Sequence, residues 1–250
     1  MSGHSKWSTI KHKKARTDEK KGKEYTRLAK EIIIAARSGG GDPETNSKLK
    51  LAVQNAKAIN MPNENISRAI KKGTGDIESD MIEELTYEGY APGGVAVMLA
   101  IATDNRNRTA ADIRHLFTKN NGNLGETGCV AYMFERVGLL TIRRENVKAD
   151  MDEFMLQAIE VGADDVREDE DIIEVITSPD NFMAVKEALE KEVGLEDADI
   201  IMMPGNTVDI NDEAMAAKIL KLIDALEDHD DVQDVYSNFN IPDEILEKLM

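Results

Sequence analysis

The chain has 250 residues, 41% of them apolar and 32% charged, with 48 acids against 31 bases and a formal net charge of −17. That length and apolar content suit two or three domains with their own cores and exclude a disordered chain. No apolar run approaches the length of a membrane span, the start lacks a secretory apolar core, and the single cysteine, Cys129, cannot close an internal disulfide; a cytoplasmic protein in a reducing compartment is expected.

The first thirty residues are unlike the rest. They hold ten Lys/Arg against Asp18, Glu19 and Glu24, a net of +7, so the remaining 220 residues sum to −24. Such polarity points to a polyanionic partner touched by one end only. The bases Lys6, Lys11, Lys13, Lys14, Arg16, Lys20, Lys21 and Lys23 are the candidate phosphate contacts. His12 lies among them, and Trp7, the only tryptophan, offers a ring that stacks on a base. A solvated tail is the bland alternative, but a chain already this acidic has no need of added charge for solubility.

From Thr17 to Arg37 apolar residues recur at helical spacing, and Gly39-Gly40-Gly41 ends the run. A second helix is predicted over 45–59 and a third up to Lys72, with Asn63 as its cap and Gly73-Thr74-Gly75 as its stop. Three short helices make a small helical domain, 1–80 with the arm. From Leu85 the period changes: strands over 85–90 and 95–101 joined through Ala91-Pro92-Gly93-Gly94, a helix over 107–119, turn chemistry over 120–125, and a strand over 129–134. Residues 139–203 then read as strand, helix, strand, helix, strand, with nineteen acids against six bases between 143 and 205. A short strand (207–210), a helix (214–226), a strand (232–239) and a terminal helix from Pro242 follow.

The late elements need a sheet to join, and the 85–134 unit supplies one. The expected fold is therefore α+β multidomain: an N-terminal three-helix domain followed by two small α/β sandwich domains, the third (137–205) inserted in the second (81–136 and 206–250). The acidic domains are candidate surfaces for a protein partner, and a protein-interaction module whose acidic body mimics a nucleic acid toward a basic partner is a further functional alternative.

One further basic patch stands out. Asp104-Asn105-Arg106-Asn107-Arg108-Thr109, with Arg114, His115 and Lys119, carries four of the fourteen bases after residue 80. Arg106 and Arg108 at a helix entry are suited to gripping a phosphate. The alternative, evenly weighted, is a cap made by Asn107 or Asp104 with the arginines paired to nearby acids.

No catalytic or ligand motif accompanies these features. There is no His-Glu-x-x-His, paired Cys-x-x-Cys, Gly-x-Ser-x-Gly or phosphate-binding Gly-x-x-x-x-Gly-Lys-Ser/Thr, and the glycines near 89–94 and 122–128 read as turns. The four histidines are scattered. The expectation is no enzyme, no metal, no cofactor, no small-molecule substrate and no membrane partner.

Gly3-His4-Ser5-Lys6-Trp7 with Ile10-Lys11-His12-Lys13-Lys14 resembles the opening of the YebC family. Gly39-Gly40-Gly41-Asp42-Pro43, Ile66-Ser67-Arg68-Ala69-Ile70-Lys71-Lys72-Gly73 and Tyr87-Glu88-Gly89-Tyr90-Ala91-Pro92-Gly93-Gly94 match it too. So do Thr103 through Thr109, and Gly122-Asn123-Leu124-Gly125 running into Val130-Ala131-Tyr132-Met133-Phe134. These blocks keep register over residues 3–138; the remainder agrees in general character. The resemblance implies three domains, one α-helical and two α/β, and no known catalytic activity. Members are labelled probable transcriptional regulators, which means DNA, while a mitochondrial relative activates translation, which means ribosomal RNA or the ribosome.

Overall fold

The computed structural model describes residues 18–78, 80–169 and 171–249, with only the backbone of 18–21. Its first unit is three helices: α1 (Asp18–Gly39), α2 (Ser47–Ala58) and α3 (Asn63–Thr74). Leu28, Ile32, Ile33 and Ala36 of α1 meet Leu49, Ala52, Val53 and Ala56 of α2 and Ile66 and Ala69 of α3 in one aliphatic core. Asn46 holds the α1–α2 corner. Its amide donates to the carbonyls of Ala35 and Gly40, 2.8 Å each, while its Oδ1 caps α2 by accepting from Leu49 N–H at 3.1 Å.

Two expectations about α3 are corrected. Asn63 is its first residue and not its cap, because Pro62 takes the cap position and its carbonyl receives the Asn65 and Ile66 N–H groups. Gly73 lies inside the helix and does not stop it; Gly75, left-handed at φ 86, does. The glycine at 73 serves packing instead. A Cβ there would lie 2.5 Å from the Ile33 carbonyl oxygen and 2.6 Å from Ala36 Cβ, so α1 and α3 approach at a distance only glycine allows.

The second unit opens with β1 (Glu83–Tyr90) and β2 (Ala96–Thr103), antiparallel from Glu83↔Thr103 to Tyr90↔Ala96. A short 3-10 turn over Pro92–Gly94 joins them, with Gly93 and Gly94 both at positive φ. Helix α4 (Arg106–Lys119) follows, then a two-residue β3 (Asn123–Leu124) paired to β1. The strand expected over 129–134 is absent before Phe134; residues 129–133 form a bend and a 3-10 segment. Their apolar run packs as a loop because the buried Glu88 carboxylate gathers the N–H groups of Gly128, Val130 and Ala131 at 2.7–2.8 Å. Burial opposes ionisation of Glu88, and those three donors still hold its pKa below the ordinary value.

From Phe134 the chain leaves this sheet for another. β4 (Phe134–Arg143), α5 (Met151–Glu160), β5 (Asp165–Glu168), β6 (Ile172–Thr177), α6 (Phe182–Leu189) and β7 (Leu195–Pro204) form a four-stranded sheet in the order β5-β6-β4-β7. β5 is a strand the periodicity did not announce, and β4 begins at Phe134, ahead of the 139 at which the unit was expected to start. The pairing of β4 with β7 begins at Phe134↔Pro204, so the chain enters and leaves this unit at one point. β8 (Val208–Asp209), α7 (Glu213–Glu227), β9 (Val232–Ser237), β10 (Phe239–Asn240) and α8 (Asp243–Leu249) then return to the second unit. β9 pairs with β2, completing the sheet β3-β1-β2-β9, and β8 pairs parallel with β10.

This is the expected α+β architecture, a helical unit followed by two α/β units with the third inserted in the second. Fully buried Phe117 and Phe239 anchor the second core and Phe154 and Phe182 the third. Each contributes about 1.5–3 kcal/mol of apolar burial. The helical unit touches both others. Leu51 of α2 enters the third core, and Lys50 pairs with Glu187 at 2.8 Å; α1 lies against the second. Among the described residues no helix is long and apolar enough to cross a membrane.

Candidate nucleic-acid interface

Of the residues expected to contact nucleic acid, Lys6, Trp7, Lys11, His12, Lys13, Lys14 and Arg16 lie outside the described residues, as do the side chains of Lys20 and Lys21. Lys23, Arg106 and Arg108 are described, and their surroundings differ sharply.

Lys23, Arg27 and Lys30 recur at spacings of four and three, which places them on one face of α1. All three reach acids around the start of β9. Lys23 Nζ meets Asp228 Oδ1 at 3.3 Å, Arg27 Nη1 meets Asp234 Oδ1 at 2.9 Å, and Lys30 Nζ meets Asp231 Oδ1 at 2.8 Å. Lys30 also donates to the carbonyls of Ala102 and Asp230. Lys23, expected as a phosphate contact, is thus engaged within the molecule.

Asp231 is the centre of this contact. Its side chain is 8% exposed, and its Oδ2 accepts from Thr109 Oγ1 at 2.7 Å, Arg108 Nη2 at 3.1 Å and Thr103 Oγ1 at 3.2 Å. Burial alone would favour the neutral acid. The hydrogen bonds from Lys30, Thr109 and Arg108 outweigh it and hold Asp231 well below the usual carboxylate range. Arg108 is shared with Asp104 at 2.7 Å. The helix cap is Asn105, whose side chain accepts from Arg108 N–H at 3.1 Å, not Asp104 or Asn107. For Arg108, pairing to nearby acids is therefore what the structure shows. Arg106 stands apart: it is exposed, and among the described residues it has no acidic partner.

The two units leave a cleft of about 660 Å³ between them, bordered by Lys23, Lys30, Lys72 and Arg108 but also by Asp80, Asp104, Asp112, Asp228, Asp230 and Asp231. Its charge is mixed, with most bases already paired, so it is a poor phosphate cradle. Among the described residues no group of three or more His, Cys, Asp or Glu is arranged to hold a metal.

Beside Arg27 a second cluster ties α1 to both sheets. Burial, then Asp199 and Asp234, push Glu31 up to about 8; Arg27 works against the shift and Glu84 adds to it. Burial, then Asp234, push Asp199 up to about 7, against the Ile200 N–H that donates to it. Both acids hold their protons in the folded state to a pH where the unfolded chain has lost them. The stability they contribute is complete below their ordinary values of 4.5 and 3.8 and is lost as pH rises toward 8. Glu31→Gln should therefore raise the melting temperature at pH 9, by roughly 2–4 °C after allowing for solvent screening, and change little at pH 4. Thermal melts at the two pH values decide this; an equal effect at both would show that the carboxyl proton is irrelevant.

Sequence reasoning missed Asp231, Lys30, Thr103 and Thr109 as a group. The signal was present in the Thr103–Thr109 block, but its acidic partner is more than 120 residues away.

Comparison with known proteins completes the description. Residues 5–76 match the family model described as the TACO1/YebC protein N-terminal domain, and residues 82–239 match the TACO1/YebC second and third domain. A protein of Syntrophomonas wolfei named "Probable transcriptional regulatory protein" is 67% identical over 251 residues, covering 100% of both chains. One of Natranaerobius thermophilus with the same name is 57% identical over 99% of each. The crystal structure of a conserved hypothetical protein from Aquifex aeolicus superposes with a TM-score of 0.82 at 51% identity, covering 92% of this chain and 94% of that one.

Proposed function

Since this chain belongs to the TACO1/YebC family, we propose that it is a non-enzymatic regulator of gene expression that binds nucleic acid through its basic N-terminal arm. The observation that carries this reading is the division of the bases of residues 1–30. Lys23, Arg27 and Lys30 dock α1 onto the second unit. The seven bases upstream, Lys6 to Lys21, precede that docked stretch in the chain and carry no acid among them but Asp18 and Glu19. A basic sequence ahead of an anchored helix is suited to holding a phosphate backbone by charge, with Trp7 adding a stacked base. The names of the bacterial relatives support transcription, and with it duplex DNA in the cytoplasm.

A second reading is a translation factor on ribosomal RNA. It is favoured by the way α1 and α2 are both packed against other units. That leaves the helical unit without the freestanding helix pair that reads a DNA groove, whereas an extended arm with a tryptophan suits folded RNA. The acidic third unit would then meet a basic protein. Sedimentation of cell extract through a sucrose gradient separates the readings. Comigration with ribosomes supports the second; a protein that stays at the top and is retained on duplex DNA supports the first.

A further inference from the structure

Apart from Arg136, which begins the passage into the third unit on β4, every lysine and arginine of the second unit lies on a helix. Helix α4 alone holds Arg106, Arg108, Arg114 and Lys119 against one acid, Asp112, a net of +3 within 220 residues that sum to −24. Arg108 is engaged by Asp104 and Asp231, and Asp112 faces His229 at 3.6 Å. Arg106, Arg114 and Lys119 remain, all exposed and without an ion pair among the described residues.

A merely solvated helix face in an acidic protein gives its bases acids one turn away, as Arg108–Asp104 and Arg68–Glu64 do here. Arg106, Arg114 and Lys119 have none at that spacing. One turn from Arg106 is Ala110, from Arg114 are Ala110 and Thr118, and from Lys119 is His115. Arg106 and Arg114, about 12 Å apart along the axis, both work against the burial that raises the Tyr87 pKa. Other exposed residues of the helix include Asn107 and Thr118, side chains that donate to phosphate oxygens, and no large apolar side chain of the kind that anchors a protein interface.

We propose that the exposed, unpaired bases of α4, Arg106, Arg114 and Lys119, make a second contact for a phosphodiester backbone, so that nucleic acid is held at two points. The proposal rests on the nucleic-acid reading above. The test uses the full chain, a 20-base-pair DNA duplex and an RNA hairpin, with affinity measured across salt concentration. Replacing all three residues by alanine should weaken binding to the favoured probe at least tenfold and lower its salt slope by about two to three, near 0.9 per lost phosphate contact. Arg106→Lys with Arg114→Lys should retain most of the affinity, which separates charge from damage to the fold. A full chain that binds while the triple variant matches it in affinity and slope overturns the second contact and leaves the arm intact. Failure of the full chain to bind either probe overturns the underlying reading.

Discussion

Removing residues 1–17 should cost at least a hundredfold in nucleic-acid affinity and lower the salt slope by about four to five. The segment carries Lys6, Lys11, Lys13, Lys14 and Arg16 and no acid. Each phosphate it neutralises releases close to one condensed counterion, which the slope counts directly. The cut at 17 is deliberate. It leaves α1 whole from Asp18 and spares the Lys23–Asp228, Arg27–Asp234 and Lys30–Asp231 contacts, so the folded body and its melting temperature should be unchanged. Trp7→Ala separates the two components of the grip. It should weaken binding by about 1–3 kcal/mol if a base stacks on the ring, and leave the slope where it was. The measurement is a titration of labelled duplex and hairpin at several salt concentrations. Equal affinity and equal slope for the full and shortened chains would falsify the arm's role.

The sequence pattern and the structure part company where contacts are long in range. Helices with a clean apolar stripe, such as α1 and α7, were legible because burial of one face writes itself into a period of 3.6. Return of the late elements to the first sheet was legible too, since β9 had no other partner. The strand expected over 129–134 failed because Val130, Tyr132 and Phe134 alternate as a strand does, while Glu88, forty residues earlier, claims the backbone donors of Gly128, Val130 and Ala131. β5 was hidden because Asp165-Val166-Arg167-Glu168 has one apolar residue, and it sits at a sheet edge where one is enough.

The candidate site shows the same division. A basic patch on an acidic body is visible in composition, but which bases are free is not. Arg106 and Arg108 look alike in sequence and differ by one direction on the helix. One points away from acids, while the other meets Asp231. The run Asp228-His229-Asp230-Asp231 reads as solvated surface, and only the fold brings Lys30 and Thr109 to it.

That node makes the largest expected effect on stability. Asp231→Ala should destabilise the protein by about 3–5 kcal/mol, because it leaves Lys30, whose side chain is 16% exposed, as a nearly buried charge with no counterion. The same change frees Thr103 and Thr109 of their shared acceptor. For a chain of this size the melting temperature should fall by roughly 6–20 °C. Asp231→Asn should fall between, since it keeps an acceptor but loses the charge. Lys30→Met is expected to cost less than Asp231→Ala, because Arg108, Thr103 and Thr109 still satisfy the carboxylate. The double variant should be more stable than the sum of the single losses predicts, the mark of two groups in direct contact. The pH dependence has a definite sign. Asp231 is held below its ordinary value, so its contribution is present above 3.8 and is lost only as pH falls through its lower folded value. Neutral and alkaline melts of the wild type should therefore owe nothing to its titration, in contrast to Glu31. Hydrogen exchange would locate the damage: amides of α1 near Lys30 and of β2 near Ala102 should lose protection together, since Lys30, held by the Asp231 carboxylate, also donates to the Ala102 carbonyl. If Asp231→Ala melts within about 0.5 kcal/mol of the wild type, the junction is held by apolar packing and the charge network is incidental.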